Sequence, residues 1–524
     1  MSISKALRNS ILAALVVLAS PAIAQNLRVG LAVEPDSLDP QYHQFSPNNA
    51  IGRHLYDRLV HQDKDQRLTP GLAVSWRATS PTVWEFALRQ GVRFHDGTPF
   101  EAADVAFSID RARKVEKSPS SFAPYLRSIA SVDIDGAHLV RITTREPNPT
   151  LPTDLSVIAI LSAKLHAETK QEEFAAGKLA VGTGPYRFTS WSRGDRLTFE
   201  RNDSYWGGAA PWARVEFRML TADATRVAAL LADSVDIIEN VPPASLASLR
   251  ANARFRVAAA PSNRLLFLSL DSARDQTPFA TDLDGKPLPA NPFKDARVRK
   301  AFSLAIAREA LADRVLEGVG SPAAQLVPPG FFGHDPALKP AAQDFDAARK
   351  LLAEAGYPNG FGVTLHGPTN RYVGDIAAAQ AVAQMLTRIG VQTKVETMPP
   401  SIFLTRSAVP DFSFILIGYA AVSGEASSAL RVLIHSFDRE RGLGANNRGR
   451  FADPAIDETI RKALVEVDDA TREKMLQAAT KAAMDQAAII PLIHYTNFWA
   501  SKAEIAYEGR ADEYTLAMSA RPRN

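Results

Sequence analysis

Four residues in the second half of the sequence have side chains suited to binding a small zwitterion: Arg371, Tyr372, Tyr419 and Glu425. An arginine guanidinium binds a carboxylate through two parallel hydrogen bonds, and a glutamate carboxylate binds an ammonium group. Each tyrosine offers a flat apolar ring with a polar tip. A peptide carries a complement to each of these groups, so the set predicts a site for a peptide-like solute.

The positions of these residues favour a single crevice. Arg371 and Tyr372 follow a predicted strand at 363–365, and the other two residues follow the apolar run 412–417. In open α/β sheets, ligands bind beyond the carboxyl ends of the strands, so we expect the two loops to border one site. A plainer interpretation remains open: Arg371 as a surface or salt-bridged arginine, and the tyrosines as a cover for hydrophobic surface.

The usual catalytic motifs are missing from the sequence. It contains no G-x-x-x-x-G-K-S/T, H-E-x-x-H, G-x-S-x-G or G-x-G-x-x-G segment, so an ATPase, a zincin or an ordinary serine hydrolase has no motif in its favour. His54 and His61 lie seven residues apart, but no third ligand lies near them in the sequence, and we expect no metal site. The glycine-rich stretch 442–449 is read as a flexible loop, with phosphate binding as the alternative.

Composition narrows the class of protein further. The chain has 524 residues, 46% of them hydrophobic and 22% charged, which is typical of a soluble globular protein with two or three lobes. The net charge of +3, from 60 basic and 57 acidic residues, gives no reason to expect nucleic-acid binding. With no cysteine in the sequence, disulfides, thiolate metal sites, cysteine nucleophiles and a lipidated N-terminal cysteine are excluded.

Residues 1–24 are typical of a Sec signal peptide. Lys5 and Arg8 precede an apolar run, 11–19, and the small residues Ala22 and Ala24 mark a cleavage site after Ala24. The alternative is a membrane anchor, but the run is less than half of the roughly 20 residues that a spanning helix needs. We therefore expect a protein that is exported, released and free to diffuse in the periplasm.

Local patterns predict the first elements. A strand is expected at 27–33, and the alternation of apolar and polar residues at 84–88 predicts another. Thr98 is the expected N-cap of a helix that runs toward Lys114, with the next residue, a proline, in the first helical position and Glu101 closing a capping box. These residues have structural roles in this interpretation.

Later segments alternate between helix and strand. Amphipathic patterns predict one helix from Asp295, with a stop at Gly318, and another that ends at Gly356. A strand at 363–365, a helix from an Asp375 cap to residue 390 and a strand at 391–397 then form a βαβ crossover, which predicts a parallel or mixed sheet covered by helices.

Two apolar runs, Leu265–Leu270 and Ile489–Ile493, are widely separated in the sequence. We interpret them as hinge strands that cross between two lobes. The alternative is that they are ordinary internal strands. No internal repeat or low-complexity linker argues for a string of independent domains.

Several segments together resemble the family 5 extracellular solute-binding proteins of ABC transporters, which include dipeptide, oligopeptide, glutathione and nickel binders. The resemblance extends over nearly the whole sequence after the leader. The segments that carry it are Pro35-Asp36-Ser37-Leu38-Asp39-Pro40, Trp84-Glu85-Phe86, Phe94-His95-Asp96-Gly97-Thr98-Pro99-Phe100, Gly182-Thr183-Gly184-Pro185-Tyr186, Arg201-Asn202 with Tyr205-Trp206, Arg297-Val298-Arg299-Lys300-Ala301-Phe302 and Leu351-Leu352-Ala353-Glu354-Ala355-Gly356-Tyr357-Pro358.

The resemblance implies a two-lobed α/β fold of the periplasmic-binding-protein type II, with an enlarged first lobe and hinge strands between the lobes. We expect a signal peptide at 1–24, a first lobe with an inserted subdomain at 25–262 plus 492–524, and a second lobe at 263–491. Closure of the lobes around a ligand is a hinge motion, and the ligand has to contact both lobes to favour the closed form.

The resemblance also assigns site residues. Gln44 and Phe45 lie in the loop where dipeptide-type members place first-lobe contacts, with ordinary loop packing as the alternative. Arg371 matches an arginine that holds the peptide carboxylate, and Tyr419 matches an aromatic residue after a core strand. Dipeptide binders have an aspartate shortly after that aromatic residue, where this chain has Val422.

Valine at that position is unable to bind an ammonium group, and the expected substitute is Glu425, three residues later. The substitution puts strict dipeptide specificity in doubt, because a longer or modified peptide, or an organic acid held by Arg371, fits equally well.

The sequence thus predicts a non-enzymatic periplasmic receptor that captures a small peptide or peptide-like solute and delivers it to an ABC permease. The permease and the ATPase are expected to be separate chains. The receptor is expected to be a monomer that is not embedded in the membrane and that binds no cofactor, metal or nucleic acid. The alternatives are the same fold with another cargo (nickel chelate, haem, opine or oligosaccharide), a secreted hydrolase and a chaperone-like periplasmic protein.

Overall fold

A twelve-stranded mixed sheet runs through much of the chain. The structure is a computed structural model that describes residues 26–169, 173–174 and 177–523. The predicted leader at 1–24 and the cleavage site after Ala24 lie outside the described residues. Within those ranges, none of the helices has the length and apolar character required to cross a membrane.

The strands vary in length, and β12 and β18 are the longest of those described. In chain order they are β1 Asn26–Leu31, β2 Val60–Gln62, β3 Leu68–Pro70, β4 Ala73–Ser80, β5 Val83–Leu88, β6 Ile129–Ile134, β7 Leu139–Thr144, β8 Tyr186–Ser192, β9 Arg196–Arg201, β10 Arg214–Met219, β11 Ile237–Ile238, β12 Phe255–Leu270, β13 Ala280–Thr281, β14 Gly320–Pro322, β15 Phe361–Pro368, β16 Val391–Met398, β17 Phe414–Ala420, β18 Ile490–Lys502, β19 Ile505–Tyr507 and β20 Ala520–Pro522.

The helices lie between these strands. They are Ser46–Leu55, Ala102–Lys114, Leu151–Leu155, Ala163–His166, Asp223–Leu231, Pro243–Ala251, Ala296–Ala305, Arg308–Ala310, Phe345–Glu354, Asp375–Thr387, Pro400–Ala408, Ala426–Ala429, Pro454–Ala463 and Asp469–Asp485. Short 3-10 or π turns occur at Ala123–Leu126, Pro292–Lys294, Leu311–Val315, Leu430–Ile434 and Ala517–Ser519.

Two neighbouring strands, β12 and β18, join the two halves of the large sheet. Ten of its strands follow the order β13-β15-β17-β12-β18-β11-β1-β10-β9-β8, and the other two lie off this path, β14 paired with β18 and β16 with β15. A separate four-stranded sheet has the order β4-β5-β7-β6. β12 and β18 are antiparallel, with an irregular register between Pro261 and Leu265. β17 pairs with the C-terminal half of β12, whereas β11 pairs with the end of β18. The predicted hinge runs lie at this crossing, and their action as a hinge stays a prediction.

The predicted βαβ crossover is confirmed. β15 and β16 are parallel over eight residue pairs, from Phe361 with Val391 to Pro368 with Met398, and the Asp375–Thr387 helix connects them. β15 also pairs in parallel with β17. The carboxyl ends of β15 and β17 therefore lie at one edge of the sheet, where the sequence predicts the ligand site.

The helix that ends at Lys114 begins later than the sequence predicts. Its first residue is Ala102, and Glu101 is the N-cap in a capping box with Asp104. Thr98 lies in the preceding turn, where its amide and hydroxyl donate hydrogen bonds of 3.0 and 2.7 Å to the Asp96 carboxylate. The prediction of Thr98 as N-cap is wrong because its hydroxyl is already bonded to this turn.

The hydrophobic core is continuous at the crossing strands. One cluster contains Leu266 and Leu365 from the second lobe together with Leu230 and Ile238 from the first. Two further clusters lie in the first lobe, and another lies in the second lobe together with Ala511 of the first. The boundaries expected at 262 and 492 stay predictions, and we use first and second lobe for the segments that they define.

Two of the family-like segments of the first lobe, 182–186 and 201–206, meet at one buried carboxylate. Asp57, 2% exposed, accepts hydrogen bonds from Thr183 Oγ1 at 2.9 Å, Tyr205 Oη at 3.1 Å and Trp206 Nε1 at 2.8 Å. Burial acts to raise the pKa of Asp57, but hydrogen bonds from His61, Trp206 and Thr183 outweigh it and hold that pKa below its ordinary value. These segments thus have a structural role.

We expect Asp57→Ala to destabilise the protein by about 3 kcal/mol, because it leaves several buried donors without an acceptor. The measurement is the midpoint of urea unfolding. The matched control is Asp203→Ala, whose side chain is 76% exposed and should contribute less than about 1 kcal/mol. Equal midpoints for the two variants would contradict the structural role of Asp57.

Candidate functional site

A cavity of about 360 Å³ lies between the lobes and brings three of the predicted site residues together. Gln44 and Phe45 line it from the first lobe, and Arg371 lines it from the second. Glu513 and Arg264 also line it. The contact of these residues with a ligand stays a prediction, but the two lobes share this space as the predicted crevice requires.

Arg371 has an exposed side chain at this cavity. Its guanidinium lies 5.4 Å from the centre of the Tyr372 ring, and among the described residues it has no acidic partner within 4.0 Å. The neighbouring Arg264 instead pairs with Glu513 through two bonds of 3.0 and 3.2 Å. Of these two cavity arginines, Arg264 is neutralised by Glu513, whereas Arg371 is available to bind an anionic ligand.

A buried aspartate shapes the loop that presents Arg371. The Asp375 carboxylate accepts hydrogen bonds from the backbone amides of Asn370, Arg371 and Tyr372 at 3.2, 2.8 and 3.0 Å. Asn370 has a φ of 57°, a conformation that these bonds stabilise. Asp375 is the first residue of its helix and Gly374 precedes it as N-cap, which corrects the prediction of Asp375 as the cap.

Tyr372 points away from the ligand space. It is 8% exposed, belongs to the core, and its hydroxyl donates a hydrogen bond of 3.2 Å to the Gly418 carbonyl. A Cβ atom on Gly418 would lie 2.8 Å from the Tyr372 ring, so this glycine is needed for the contact. The structure does not bring Tyr372 to the cavity that Arg371 lines, and the plainer interpretation of a hydrophobic cover describes its position.

Tyr419 lies inside β17, not after it, and is half-buried. Burial raises the pKa of its hydroxyl, while Ser428 and Arg431 lower it. Tyr125 of the first lobe is close enough to Tyr419 to interact with it electrostatically, and it accepts a hydrogen bond of 2.6 Å from Gln44 Nε2. Tyr419 thus lies near Tyr125 of the first lobe, but it is not among the residues that line the Arg371 cavity.

Glu425 lies in a different place from Arg371. It is 5% exposed, forms an ion pair of 2.8 Å with Arg472 and accepts a hydrogen bond of 2.6 Å from Ser427. It lines a second cavity of about 790 Å³. The structure therefore does not support Glu425 as a free carboxylate for an ammonium group, because Arg472 already neutralises it.

The loop before Glu425 is held by the first lobe. Gln66, 4% exposed, donates a hydrogen bond of 2.7 Å to the Val422 carbonyl and accepts one of 3.0 Å from Asn263. A Cβ atom on Gly424 would lie 2.8 Å from Cβ of Gln66. This close contact fixes the loop and directs Glu425 away from the Arg371 cavity.

Two charged residues that the sequence analysis missed face each other across the lobes. Asp154 of the first lobe is half-buried and interacts electrostatically with Arg431 and Glu425 of the second lobe. Burial raises the pKa of Asp154 to about 7. No sequence pattern distinguishes Asp154 or Arg431 from ordinary surface residues, so only the fold reveals this juxtaposition.

The Asp375 contacts generate a test of the loop. We expect Asp375→Ala to accelerate amide hydrogen exchange at Arg371 and Tyr372 at least about 10-fold, because their N–H groups lose an acceptor worth roughly 1.5 kcal/mol. Asp346→Ala is the control, since the Asp346 side chain is 95% exposed. Unchanged exchange in the Asp375 variant would show that the loop holds its shape without this carboxylate.

Comparison with known proteins identifies the family of this chain. Residues 67–440 match the model of bacterial extracellular solute-binding proteins, family 5 Middle. The glutathione-binding protein GsiB of Escherichia coli (strain K12) is 26% identical over 498 residues, which cover 91% of this chain and 92% of that protein.

Solved structures show the fold. HbpA2 from Haemophilus parasuis has a TM-score of 0.81 at 23% identity, and the match covers 95% of this chain and 100% of HbpA2. The periplasmic binding protein DppA from Helicobacter pylori, in complex with the peptide STSA, has a TM-score of 0.76 at 22% identity, covering 95% and 98%. Both share the two-lobed α/β architecture. Because the family match covers more than half of its residues, this chain belongs to the bacterial extracellular solute-binding proteins, family 5.

Proposed function

We propose that the protein is the periplasmic receptor of an ABC importer and captures a small peptide or peptide-like solute by closure of its lobes. The observation that carries this proposal is the guanidinium of Arg371, which has no acidic partner among the described residues and lines a cavity together with Gln44 and Phe45 of the other lobe. Such a cation binds a carboxylate, and a ligand that contacts both lobes favours the closed form.

The cargo follows from the same charge. GsiB is a glutathione-binding protein, and the DppA structure holds a peptide; both kinds of ligand carry a free carboxylate. Other proteins of this fold hold a nickel chelate with histidine or agropinic acid, whose organic parts also carry carboxylates. The charge of Arg371 therefore favours a carboxylate-bearing solute, and the similarity in sequence to GsiB favours a peptide or peptide-like one.

The closure and delivery steps complete the proposal. β12 and β18 act as the hinge, because they are the strands shared by both halves of the large sheet and their pairing is irregular between Pro261 and Leu265. The receptor is a monomer without catalytic activity, exported by its leader, and it delivers its cargo to separate permease and ATPase chains.

Calorimetry tests the role of Arg371. The probe is the tightest binder among glutathione and a panel of short peptides, and we expect Arg371→Ala to weaken it at least 30-fold, about 2 kcal/mol, by removing a charge-assisted contact. Arg388→Ala, which removes an exposed arginine of the same lobe, should leave the affinity unchanged. Equal affinity of wild type and Arg371→Ala would eliminate the assignment.

Closure without ligand should depend on pH. Burial raises the pKa of Asp154 to about 7 in the described conformation, which we take as the closed form; opening of the lobes should expose Asp154 to water and restore its ordinary range. The closed form therefore binds a proton more tightly, and its advantage is full in acid and lost as the pH rises through about 7. Arg431 opposes this effect, and Glu425 adds to it.

Small-angle X-ray scattering of the ligand-free protein provides the measurement. We expect a smaller radius of gyration at pH 5.5 than at pH 8, and no such difference in Asp154→Asn, which has no proton to bind at this position. A pH response that survives in Asp154→Asn would assign the effect to other groups.

A further inference from the structure

A cavity of about 310 Å³ in the first lobe is lined by three arginines, Arg113, Arg127 and Arg145, and by no acidic residue. It lies apart from the two cavities described above, because none of its lining residues lines either of them. Its volume is at the lower end of the roughly 300–1,000 Å³ that ligand pockets usually have. The cavity is therefore large enough for a small molecule and is surrounded by three positive charges.

The fold brings these arginines together from three separate elements. Arg113 lies in the last turn of the Ala102–Lys114 helix. Arg127 follows the next 3-10 turn, and Arg145 follows β7. The amide of Arg145 donates a hydrogen bond of 2.8 Å to the carbonyl of Ser128, which joins the last two segments. No spacing in the sequence indicates this cluster, because it depends on tertiary contacts.

The guanidinium of Arg113 is held in one orientation. Its Nη2 atom donates hydrogen bonds of 3.1 and 3.0 Å to the carbonyls of Leu126 and Ile129, and the side chain is half-buried. Burial lowers the pKa of Arg113, Asp110 raises it and the charge of Arg145 lowers it further, with a lowered pKa as the result. An anion beside Arg113 would offset this cost.

The other two arginines have no anionic partner. Arg127 and Arg145 are exposed, and within the described ranges neither side chain has a hydrogen bond or an acidic group within 4.0 Å. By contrast, Arg111 of the same lobe is paired with Asp39 at 2.7 Å. Like charges around one cavity repel one another, so an anion in the cavity would stabilise the cluster.

The remaining wall of the cavity is apolar and consists of Ala123, Pro124, Leu126 and Ile129. A ligand that fits has an anionic group and an apolar part. A phosphate monoester carries a charge of about −1.5 to −2 near pH 7 and has three oxygens that accept hydrogen bonds, one for each guanidinium. A carboxylate has one charge and two such oxygens, so it compensates the three arginines less well.

We propose that this cavity is a second binding site, for a small phosphate monoester, distinct from the site of the imported solute. The three arginines without an acidic partner, the fixed guanidinium of Arg113 and the apolar wall support it. The proposal does not depend on which solute Arg371 binds, since the two cavities share no lining residue.

Calorimetry of the mature chain at low ionic strength and about pH 8 tests this proposal. The probes are phenyl phosphate and, as a monoanion with the same apolar ring, benzoate. We expect phenyl phosphate to bind at least about 10-fold more tightly than benzoate. The double variant Arg127→Gln/Arg145→Gln should weaken phenyl phosphate at least about 10-fold, because it removes two charge-assisted contacts.

The matched control is Arg214→Gln/Arg256→Gln, which removes two exposed arginines of the same lobe and therefore the same net charge. It should bind phenyl phosphate as wild type does, and so should Arg371→Ala. Equal weakening in both double variants would indicate attraction by net charge alone and overturn the proposal. Loss of binding in Arg371→Ala would overturn it too, because the probe would then occupy the solute site.

Two further outcomes would contradict the proposal. Absence of phenyl phosphate binding by wild type would overturn it while leaving the proposed function intact. Benzoate that binds as tightly as phenyl phosphate would overturn the assignment of a phosphate ligand.

Discussion

The charge of Arg371 is the constraint on which the site depends. Its guanidinium lies between two lobes, and in the described chain no carboxylate stands close enough to neutralise it. Bringing the lobes together removes water from this cation, which is costly unless another anion replaces the water. In the proposed function, a ligand carboxylate offsets that cost, so that capture of the ligand and closure of the protein are one event.

The rest of the second lobe holds this charge in position. β15 ends at the sheet edge beside β17, and the loop after β15 is bound through three amides to the Asp375 carboxylate. Tyr372 anchors the same loop to the Gly418 carbonyl from the core side. A long and flexible side chain is thus presented from a rigid backbone, which limits the entropy lost when it binds.

Much of this architecture is readable from the sequence, because it depends on local patterns. The βαβ unit at 361–398 follows from periodicity, and the two long crossing strands contain the apolar runs that mark them. Arg371 was identifiable since it follows a strand in a sheet of this kind, and resemblance located Gln44 and Phe45 opposite to it.

Other features depend on distant partners. Glu425 has the right chemistry for an ammonium ligand, but its counter-ion is Arg472, 47 residues later in the chain, and no local pattern indicates that pair. Asp154 shows another such case, a carboxylate in an unremarkable segment that only the fold brings close to Arg431 and Glu425. The predicted start of the Ala102–Lys114 helix was also wrong. Thr98 is bonded to Asp96 in the preceding turn, and Glu101 caps the helix instead.

The crossing of β12 and β18 has a consequence for recognition by the importer. Two adjacent antiparallel strands resist shear and twist through their mutual hydrogen bonds, but they flex where the pairing is interrupted, between Pro261 and Leu265. If these strands are the hinge, as proposed, motion of the halves is confined largely to one rotational axis. Ligands of different shape would then bring the outer surfaces of the two lobes into nearly the same relative orientation. A permease would recognise this one arrangement of the lobes as the ligand-bound receptor.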